Sequence, residues 1–288
     1  MSLQPKLTDR ELASLAQKTI IITGGASGIG RATVLKAHQN GANVVIADVN
    51  KQAGDALVAE LKGRAMFHYT DISNWNSILD LFEAAVGRFS RIDTVCANAG
   101  TNNWDSVFAD ELDESTGRLK APTFRNLEIN LFGTIHTAKA AVHYFSRNPG
   151  GIGQLVLTGS AASLIDTPPL HLYCAGKAGI LGFMRSIRTQ LIKSNATVNM
   201  IAPWMTRTPM LPEELSKIWG ELPANTPDGV ADALLLPSVR PEVNGKSFWV
   251  AGNQIVELEG ALHAAQPQWM GENLSRQVDE GQRRMGIF

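Results

Sequence analysis

The sequence has few residues of the kind that build disulfide frameworks or zinc sites. Of its 288 residues only two are cysteines, Cys96 and Cys174, and neither belongs to a CxxC pair or lies near a cluster of histidines. The composition therefore favours neither a disulfide framework nor a zinc site, and we expect no metal. Buried, reduced thiols in a cytoplasmic protein are the interpretation that this cysteine content supports.

Long apolar runs are also missing. No run approaches the roughly 18 residues of a membrane-spanning helix, and Met1 to Lys18 lack the apolar stretch of a secretory signal. The last residues, Gly286 to Phe288, match no lipidation or retention signal. A net charge of −1 and a pI of about 6.6 give no sign of a nucleic-acid or acidic-lipid partner. We expect a cytoplasmic protein that binds neither nucleic acid nor a membrane.

Seven short apolar runs recur along the chain and predict β-strands that are buried on both faces. They occupy 18–23, 43–48, 65–69, 92–97, 154–158, 197–201 and 246–251. Amphipathic stretches between them predict helices at 29–40, 50–62, 73–87, 124–146 and 170–194. This alternation predicts an α/β domain built on a doubly wound parallel sheet, with helices on both faces.

We place the domain at 18–259. Residues 1–17 are then an N-terminal extension outside the fold, and residues 260–288 form a C-terminal tail. The tail is amphiphilic, which suits either of two roles: covering a functional site or packing on a neighbouring subunit.

Two internal segments break the alternation of strands and helices. Residues 101–123 are polar, which predicts an ordered loop or a short helical insertion. Residues 203–228 carry five prolines and two tryptophans. They predict a loop that contains one short helix at 213–219.

A glycine-rich loop joins the first predicted strand to the first predicted helix. Residues 23–30 read TGGASGIG, and glycines let the backbone turn tightly and approach a pyrophosphate with no Cβ in the way. The helix start that follows supplies N–H donors and a partial positive charge. Because it lies between a strand and a helix, the GxxxGxG spacing predicts a dinucleotide site rather than a plain structural turn. Its candidate cofactor contacts are Gly24, Ser27, Gly28, Ile29 and Gly30.

Asp48 ends the second predicted strand. A carboxylate there accepts hydrogen bonds from the adenosine ribose hydroxyls and repels a 2′-phosphate. No Arg or Lys occupies Ser27 or Val49, from which a cation would pair with that phosphate. The sequence therefore predicts NAD rather than NADP, although an aspartate at a strand end can also serve only as a cap for the next turn.

With Tyr173-x-x-x-Lys177 added, the stretch from 18 to 252 resembles the short-chain dehydrogenase/reductase family, and its motifs follow the family's order. The resemblance implies a single-domain Rossmann fold with a seven-stranded parallel sheet. It is greatest to the branch of 15-hydroxyprostaglandin dehydrogenase and the fungal secondary-metabolite alcohol dehydrogenases. Beyond the glycine loop, the cofactor contacts it implies are Asp48, Val49, Asp71, Ile72, Asn98, Ala99, Gly100, Tyr173, Lys177, Pro203, Thr206 and Thr208.

The resemblance also implies hydride transfer between NAD and a secondary alcohol or ketone, with Tyr173 as the acid–base. Lys177 lies one turn further along the same helix face. Its ammonium, together with the nicotinamide charge, would lower the pKa of the phenol. Ser160 would hold the substrate oxygen, and Asn130 would hold a water that links the lysine to solvent. His171 is an alternative base that nothing in the sequence orients.

The candidate substrate pocket is apolar, and Trp204 stands where the family usually has glycine. Its predicted members are Ser160, Leu164, Ile165, Tyr173, Trp204, Met205 and Met210. They indicate an apolar alcohol or ketone of secondary metabolism, polycyclic or polyketide-like, rather than a sugar. The same apolar residues would also suit a lid or a subunit contact.

Two other functions stay open at this point. One is an NADPH-dependent ketoreductase, and the other is a recruited NAD-binding scaffold with a non-redox cyclase or regulatory role. The retained set of Ser160, Tyr173 and Lys177 speaks against the scaffold. The resemblance further implies a homodimer or homotetramer that associates through the two longest predicted helices, 124–146 and 170–194.

Overall fold

The described residues form a nine-stranded sheet that helices cover on both faces. The computed structural model describes residues 3–4, 6–102 and 107–286. The strands are β1 (Leu3–Gln4), β2 (Thr19–Thr23), β3 (Asn43–Asp48), β4 (Ala65–Tyr69), β5 (Thr94–Ala97), β6 (Gly153–Thr158), β7 (Ala196–Pro203), β8 (Ser247–Ala251) and β9 (Gln254–Glu257). The α-helices are α1 (Asp9–Leu12), α2 (Gly28–Gln39), α3 (Lys51–Leu61), α4 (Trp75–Phe89), α5 (Arg125–Leu127), α6 (Thr134–Phe145), α7 (His171–Ile192), α8 (Glu213–Trp219), α9 (Pro227–Val239), α10 (Glu259–Ala264), α11 (Gln266–Met270) and α12 (Glu272–Arg284).

Strands β2 to β8 correspond to the seven predicted apolar runs, and they are all parallel. Their order across the sheet is β8-β7-β6-β5-β2-β3-β4. The order reverses between β5 and β2, and connections leave the sheet in opposite directions on either side of that point. Such a switch point opens a crevice at the carboxyl ends of the strands, where open α/β sheets bind their ligands. The prediction of a doubly wound α/β sheet is confirmed.

Two antiparallel strands extend one edge beyond the seven predicted parallel strands, so the whole sheet has nine. Strand β9 pairs with β8, and β1 pairs with β9. The connection from β8 to β9 is Gly252-Asn253, with φ angles of +55° and +61°. Positive φ at both central residues is the conformation of a two-residue hairpin turn, and it favours glycine and asparagine.

Successive residues of the central strands point to opposite faces of the sheet, and each face has its own core. Ile21 packs into the core formed with α4, α6 and α7, whose members include Phe82 and Met184. Ile20 and Ile22 pack into the other core, formed with α2 and α9. All five residues of β2 are buried. A run of apolar residues without alternation follows directly from covering both faces.

Residues 6–17 pack against the domain, which corrects the expectation that the N-terminal extension lies outside the fold. Leu15 is fully buried in the core that also holds Ile20. The Glu11 carboxylate pairs with Arg240 at 2.8 Å. An apolar side chain and an ion pair thus fix this segment to the domain.

The two segments that interrupt the predicted alternation, 101–123 and 203–228, fold differently. Residues 107–123 form turns with one isolated antiparallel bridge, Leu112 to Leu119, and residues 103–106 lie outside the described part. No helix occurs within 107–123, so the alternative of a helical insertion is wrong for that part. The predicted short helix is confirmed as α8.

Helix α9 was not predicted. Eight of its thirteen residues are buried, so it has no polar stripe and shows no amphipathic period.

The two cysteines lie in different environments. Cys96 in β5 is fully buried, and burial raises the pKa of its thiol to about 12. Cys174 lies in α7, next to Tyr173, and is half-buried. None of the helices formed by the described residues is long and apolar enough to cross a lipid bilayer.

Candidate active site

A cleft of about 620 Å³ opens at the carboxyl ends of the parallel strands, around the switch point between β5 and β2. All seventeen predicted cofactor contacts line it, although their roles stay predictions. Its other lining residues are Thr70, Thr101, Asn102, Arg125, Ile129, Thr158, Gly159, Ser160, Thr167, Leu170, Trp204, Met205, Pro209, Met210, Leu211, Pro212 and Leu215. No described residue of the tail after Glu259 lines the cleft.

The glycine loop forms a cradle that side chains would fill. A Cβ on Gly30 would lie 2.0 Å from the Gly24 carbonyl oxygen, and one on Gly24 would lie 2.9 Å from the Ala99 Cα. Gly24 and Gly28 also have positive φ angles of +65° and +50°. The loop leads into the first turn of α2, whose N–H groups are suited to an anion. Backbone without side chains at a helix start fits a pyrophosphate, so the residues present fit a dinucleotide.

The Asp48 carboxylate is held by two backbone amides at the end of β3. Its Oδ2 accepts from the Ala26 N–H at 3.0 Å, and its Oδ1 accepts from the Asn50 N–H at 2.9 Å. Each oxygen keeps a further lone pair for a ligand hydroxyl. Asp48 therefore caps the turn after β3, which was the alternative role considered from the sequence. Its carboxylate is also oriented on the cleft wall.

A second carboxylate, Asp71, lines the cleft beyond Asp48. Its Oδ1 accepts from the Ser73 N–H at 2.9 Å and from the Ser73 hydroxyl at 2.6 Å. Arg125 donates to Oδ2 at 3.3 Å. Burial raises the pKa of Asp71, but the Ser73 hydrogen bonds and the Arg125 charge outweigh it, so the net pKa lies below its ordinary value. Asp71 is thus ionised at neutral pH.

The Asn98-Ala99-Gly100 segment closes the floor of the cleft. The Asn98 side chain donates to the Thr23 carbonyl at 3.0 Å, and the Thr23 hydroxyl accepts from the Asn98 and Ala99 N–H groups, each at 3.0 Å. These bonds join the ends of β2 and β5. The asparagine therefore has a structural task in addition to its place on the cleft wall.

The structure brings Ser160, Tyr173 and Lys177 together at the inner end of the cleft. Ser160 is hydrogen-bonded to Tyr173 through their side chains. The Lys177 Nζ lies 5.7 Å from the centre of the Tyr173 ring and donates to the Thr158 carbonyl at 2.8 Å. Ser163 connects the groups, because its hydroxyl donates to the Lys177 carbonyl at 2.7 Å and accepts from the Ser160 N–H at 3.2 Å.

The pKa of the Tyr173 phenol lies above its ordinary value. Although the Tyr173 ring is only half-buried, desolvation raises the pKa of its hydroxyl, and the hydrogen bond with Ser160 opposes that rise in part. The part predicted for Lys177, which acts together with the charge of the nicotinamide, stays a prediction. The Lys177 ammonium is directed at the Thr158 carbonyl. Burial also lowers the pKa of Lys177 to about 8.

Asn130 lies behind the cleft wall, in a single π-helical turn, Glu128–Gly133, between α5 and α6. π-Helical turns are frequent at functional sites. The Asn130 side chain accepts from the Thr101 N–H at 2.9 Å, donates to the Thr101 carbonyl at 2.7 Å, and contacts Asn126. These hydrogen bonds hold the backbone at Thr101, in the loop that follows β5. The water-holding role that the resemblance implies stays a prediction.

The cleft also has apolar lining residues, and Trp204 is the tryptophan among them. The Trp204 ring lies 5.6 Å from that of Trp219, edge to face, and 6.2 Å from that of Trp249, roughly parallel. The backbone N–H of Trp204 donates to the Val250 carbonyl at 2.8 Å. Asn102 donates to the Met210 carbonyl at 3.1 Å, across the cleft mouth. The Trp204 side chain is therefore held in place by two neighbouring aromatic rings.

Two predicted pocket residues lie elsewhere. Leu164 packs against the core beside α7, and Ile165 is 43% exposed outside the cleft lining. His171 is exposed and packs edge to face against Phe108, with ring centres 4.9 Å apart. It does not line the cleft, which disfavours it as the alternative base.

Sequence reasoning missed Arg125, Thr70 and Ile129 as cleft residues. Thr70 directly precedes the predicted Asp71-Ile72 pair, so its place was readable from the motif. Arg125 and Ile129 lie on the entry to the long helix, and no local pattern marks them. They reach the cleft only because the chain folds back beside β4.

Comparison with known proteins agrees with this geometry. The family described as short chain dehydrogenase matches residues 18–219. The short-chain dehydrogenase/reductase ascJ of Acremonium egyptiacum is 33% identical over 261 residues, which are 89% of this chain and 86% of the relative. The 5'-hydroxyaverantin dehydrogenase of Dothistroma septosporum is 28% identical over 307 residues, 97% and 98% of the two chains.

The fold also matches solved structures. One is the 3-ketoacyl-(acyl-carrier-protein) reductase of Brucella melitensis complexed with NADH, with a TM-score of 0.72, 24% identity, and coverage of 83% of this chain and 98% of that chain. At that identity the likeness supports the fold alone. The family match over most of the sheet and the cleft at its switch point lead to one conclusion. The chain belongs to the short-chain dehydrogenase/reductase family of oxidoreductases.

Proposed function

We propose that the protein is an NAD-dependent oxidoreductase that interconverts a secondary alcohol and a ketone on an apolar small molecule. The observation that carries the proposal is the group formed by Ser160, Tyr173 and Lys177 at the inner end of a cleft that fits a dinucleotide. In this proposal Tyr173 is the acid–base, as the family resemblance implies.

The cofactor, when bound, supplies the hydride acceptor for oxidation or the hydride donor for reduction. The glycine loop would hold its pyrophosphate, Asp48 its adenosine ribose, and Lys177 its nicotinamide ribose. Ser160 would donate a hydrogen bond to the substrate oxygen and keep it at the Tyr173 hydroxyl. Tyr173 would give its proton to a ketone oxygen during reduction, or take the proton from an alcohol during oxidation.

The raised pKa of Tyr173 matters for direction. The phenol is protonated at neutral pH in the cleft as described, which is the form that reduction needs. Oxidation needs the phenolate. A positive charge near the hydroxyl would have to offset the desolvation, and Lys177 is the nearest cation on the same helix face.

The preference for NAD rests on the charges near Asp48. Among the described residues, the cations that line the cleft are Arg125 and Lys177. Arg125 is paired with Asp71 and Glu128, and Lys177 lies at the opposite, inner end. A 2′-phosphate would therefore face the Asp48 carboxylate with no free cation on the cleft wall beside it.

We expect Asp48→Ala to lower the ratio of kcat/KM for NAD over NADP by about 10- to 100-fold, because hydrogen bonds to a charged group contribute about 1.5–3 kcal/mol. Steady-state kinetics with both cofactors measures this ratio. The matched control is Asp80→Ala, which removes an exposed carboxylate of α4 outside the cleft and should leave the ratio unchanged. Wild-type preference for NADP, or no change in the Asp48 variant, would contradict the assignment.

The substrate class rests on the lining of the inner end. Trp204, Met205, Met210, Leu211 and Leu215 present apolar surface there. Because these side chains bear no charge, a carboxylate or phosphate on the substrate would be desolvated without a partner. The relative from Dothistroma septosporum is named as a dehydrogenase of 5'-hydroxyaverantin. Together these features support an apolar alcohol or ketone of secondary metabolism.

We expect oxidation of bicyclic and tricyclic secondary alcohols such as tetralol and fluorenol with NAD, and reduction of the corresponding ketones with NADH. Sorbitol and lactate should react at least about 100-fold more slowly in kcat/KM, because a desolvated hydroxyl or carboxylate costs several kcal/mol. The absorbance of reduced nicotinamide follows every reaction. A preference for the polyol or the hydroxy acid would contradict the substrate class.

The same assay separates the alternatives. Binding of NAD without turnover of any alcohol or ketone in a broad panel would support the non-redox scaffold. Turnover that requires NADPH would support the ketoreductase. The paired Ser160 and Tyr173 favour redox chemistry over the scaffold, because a non-redox role has no need of that pair.

A further inference from the structure

The continuous helical segment made of α5, the π-helical turn and α6 begins at one end of the cleft, and its first residue is an arginine that lines the cleft. Arg125 is the first residue of α5 and lines the cleft together with Ile129, one turn further on. The opposite wall of this end is the segment from Thr70 to Ile72, which follows β4.

The strand order identifies this end of the cleft. Strands β6, β5, β2, β3 and β4 follow one another across the sheet. Ser160 follows β6, the glycine loop follows β2, Asp48 ends β3, and Asp71 follows β4. The sites for the reacting carbon, the pyrophosphate and the adenosine ribose therefore lie in a row. The ion pair of Arg125 and Asp71 comes next, and the adenine base would lie against it.

The edge of the Arg125 guanidinium is fixed by three acceptors. Its Nη1 donates to the Ser73 hydroxyl at 2.9 Å and to the Glu128 carboxylate at 3.2 Å. Its Nη2 donates to Asp71 Oδ2 at 3.3 Å. The bonds join the start of α5 to the turn after β4, and the side chain stays 51% exposed. Hydrogen bonds use the rim of a guanidinium and leave its flat faces for stacking.

The neighbours of the guanidinium also suit a flat heterocycle. Ile72 and Ile129 are apolar, and Asp71 offers a carboxylate that could accept from an amino group. Ile72 is itself fixed, because a Cβ on Gly133 would lie only 2.7 Å from its side chain. A planar cation, two branched aliphatic side chains and one acceptor form a site for an aromatic base with an exocyclic amine.

We propose that Arg125 is an adenine-binding residue: its guanidinium face packs on the base, while its edge holds the Asp71 carboxylate toward the base's amino group. The inference rests on the proposed use of a dinucleotide cofactor. It adds a contact made by the first residue of α5. Stacking of a base on a planar side chain is worth enough to change affinity by about tenfold.

The test measures binding in solution by isothermal titration calorimetry with three probes: NAD, ADP-ribose and nicotinamide mononucleotide. We expect Arg125→Ala to weaken the affinity for NAD and for ADP-ribose by about tenfold. The affinity for nicotinamide mononucleotide should stay within about twofold of the wild-type value. Arg125→Lys keeps the charge but loses the plane, so it should weaken both adenine-containing ligands nearly as much. Arg118→Ala is the matched control, since Arg118 is exposed and does not line the cleft.

Each result is decisive. Unchanged affinity for NAD and ADP-ribose in Arg125→Ala, with the wild type binding both, would overturn this inference and leave the proposed function intact. An equal loss for the mononucleotide would show that Arg125 only maintains the cleft's shape, which also overturns it. A wild-type protein that binds neither NAD nor ADP-ribose would overturn the proposed function and this inference together.

Discussion

Replacing Tyr173 by phenylalanine is expected to lower turnover by about a thousandfold while NAD still binds with affinity within about threefold of the wild type. The variant keeps the aromatic ring and its packing. It loses the Tyr173 hydroxyl, which is hydrogen-bonded to the Ser160 side chain. Without it the substrate oxygen has no proton donor or acceptor at the required place. Steady-state kinetics and a separate NAD titration measure the two effects.

Tyr144→Phe is the matched control for this experiment. Tyr144 lies on α6, where its ring stacks on Phe82 with centres 5.2 Å apart, and it does not line the cleft. Its replacement should leave turnover unchanged. Near-normal turnover in Tyr173→Phe would refute the assigned acid–base, whereas a loss of NAD binding would point to a collapsed cleft instead.

Lys177→Met is expected to lower turnover by at least about a hundredfold and yet to stabilise the fold at pH 7 by roughly 1–3 kcal/mol. Lys177 is 4% exposed, and burial lowers its pKa from 10.5 to about 8. The unfolded chain therefore binds the proton more tightly than the folded protein. Protonation costs the folded state about 3 kcal/mol, from which loss of the hydrogen bond to Thr158 subtracts about 1 kcal/mol in the variant.

The sign of this effect gives a pH signature. The penalty is complete below about pH 8, where the lysine is charged in both states, and it disappears as pH rises toward 10.5. The stability gain of Lys177→Met should therefore be largest near neutral pH and shrink between pH 8 and 10.5. Urea unfolding at several pH values measures it, with Lys193→Met, an exposed lysine just after α7, as control. A destabilised and fully active Lys177 variant would contradict both halves of the prediction.

The parallel part of the fold was readable from the sequence because burial on both faces leaves uninterrupted apolar runs. β2 and β3 are examples, with no polar residue between Thr19 and Thr23 or between Asn43 and Asp48. The edge strand β9 was less readable, because it has only four residues and these are a mixture of polar and apolar types. Helix α9 was missed for the opposite reason: burial on nearly all sides removes the period by which helices are recognised.

The site divides along similar lines. Motif residues such as Gly24 and Tyr173 were found because short sequence spacing and local geometry are directly linked. Arg125 belongs to the site through a contact across more than fifty residues of chain, which no local pattern encodes. The direction of the Tyr173 pKa was also beyond the sequence, because desolvation depends on how closely the folded chain surrounds the hydroxyl.

The placement of the two thiols has a practical consequence for chemical labelling. Reaction with an alkylating reagent requires the thiolate, and Cys96 is both enclosed and held in its protonated form. Cys174, half-buried and one residue from Tyr173, is the remaining target. A maleimide or iodoacetamide label on the folded protein would therefore mark Cys174, beside the phenol, rather than Cys96.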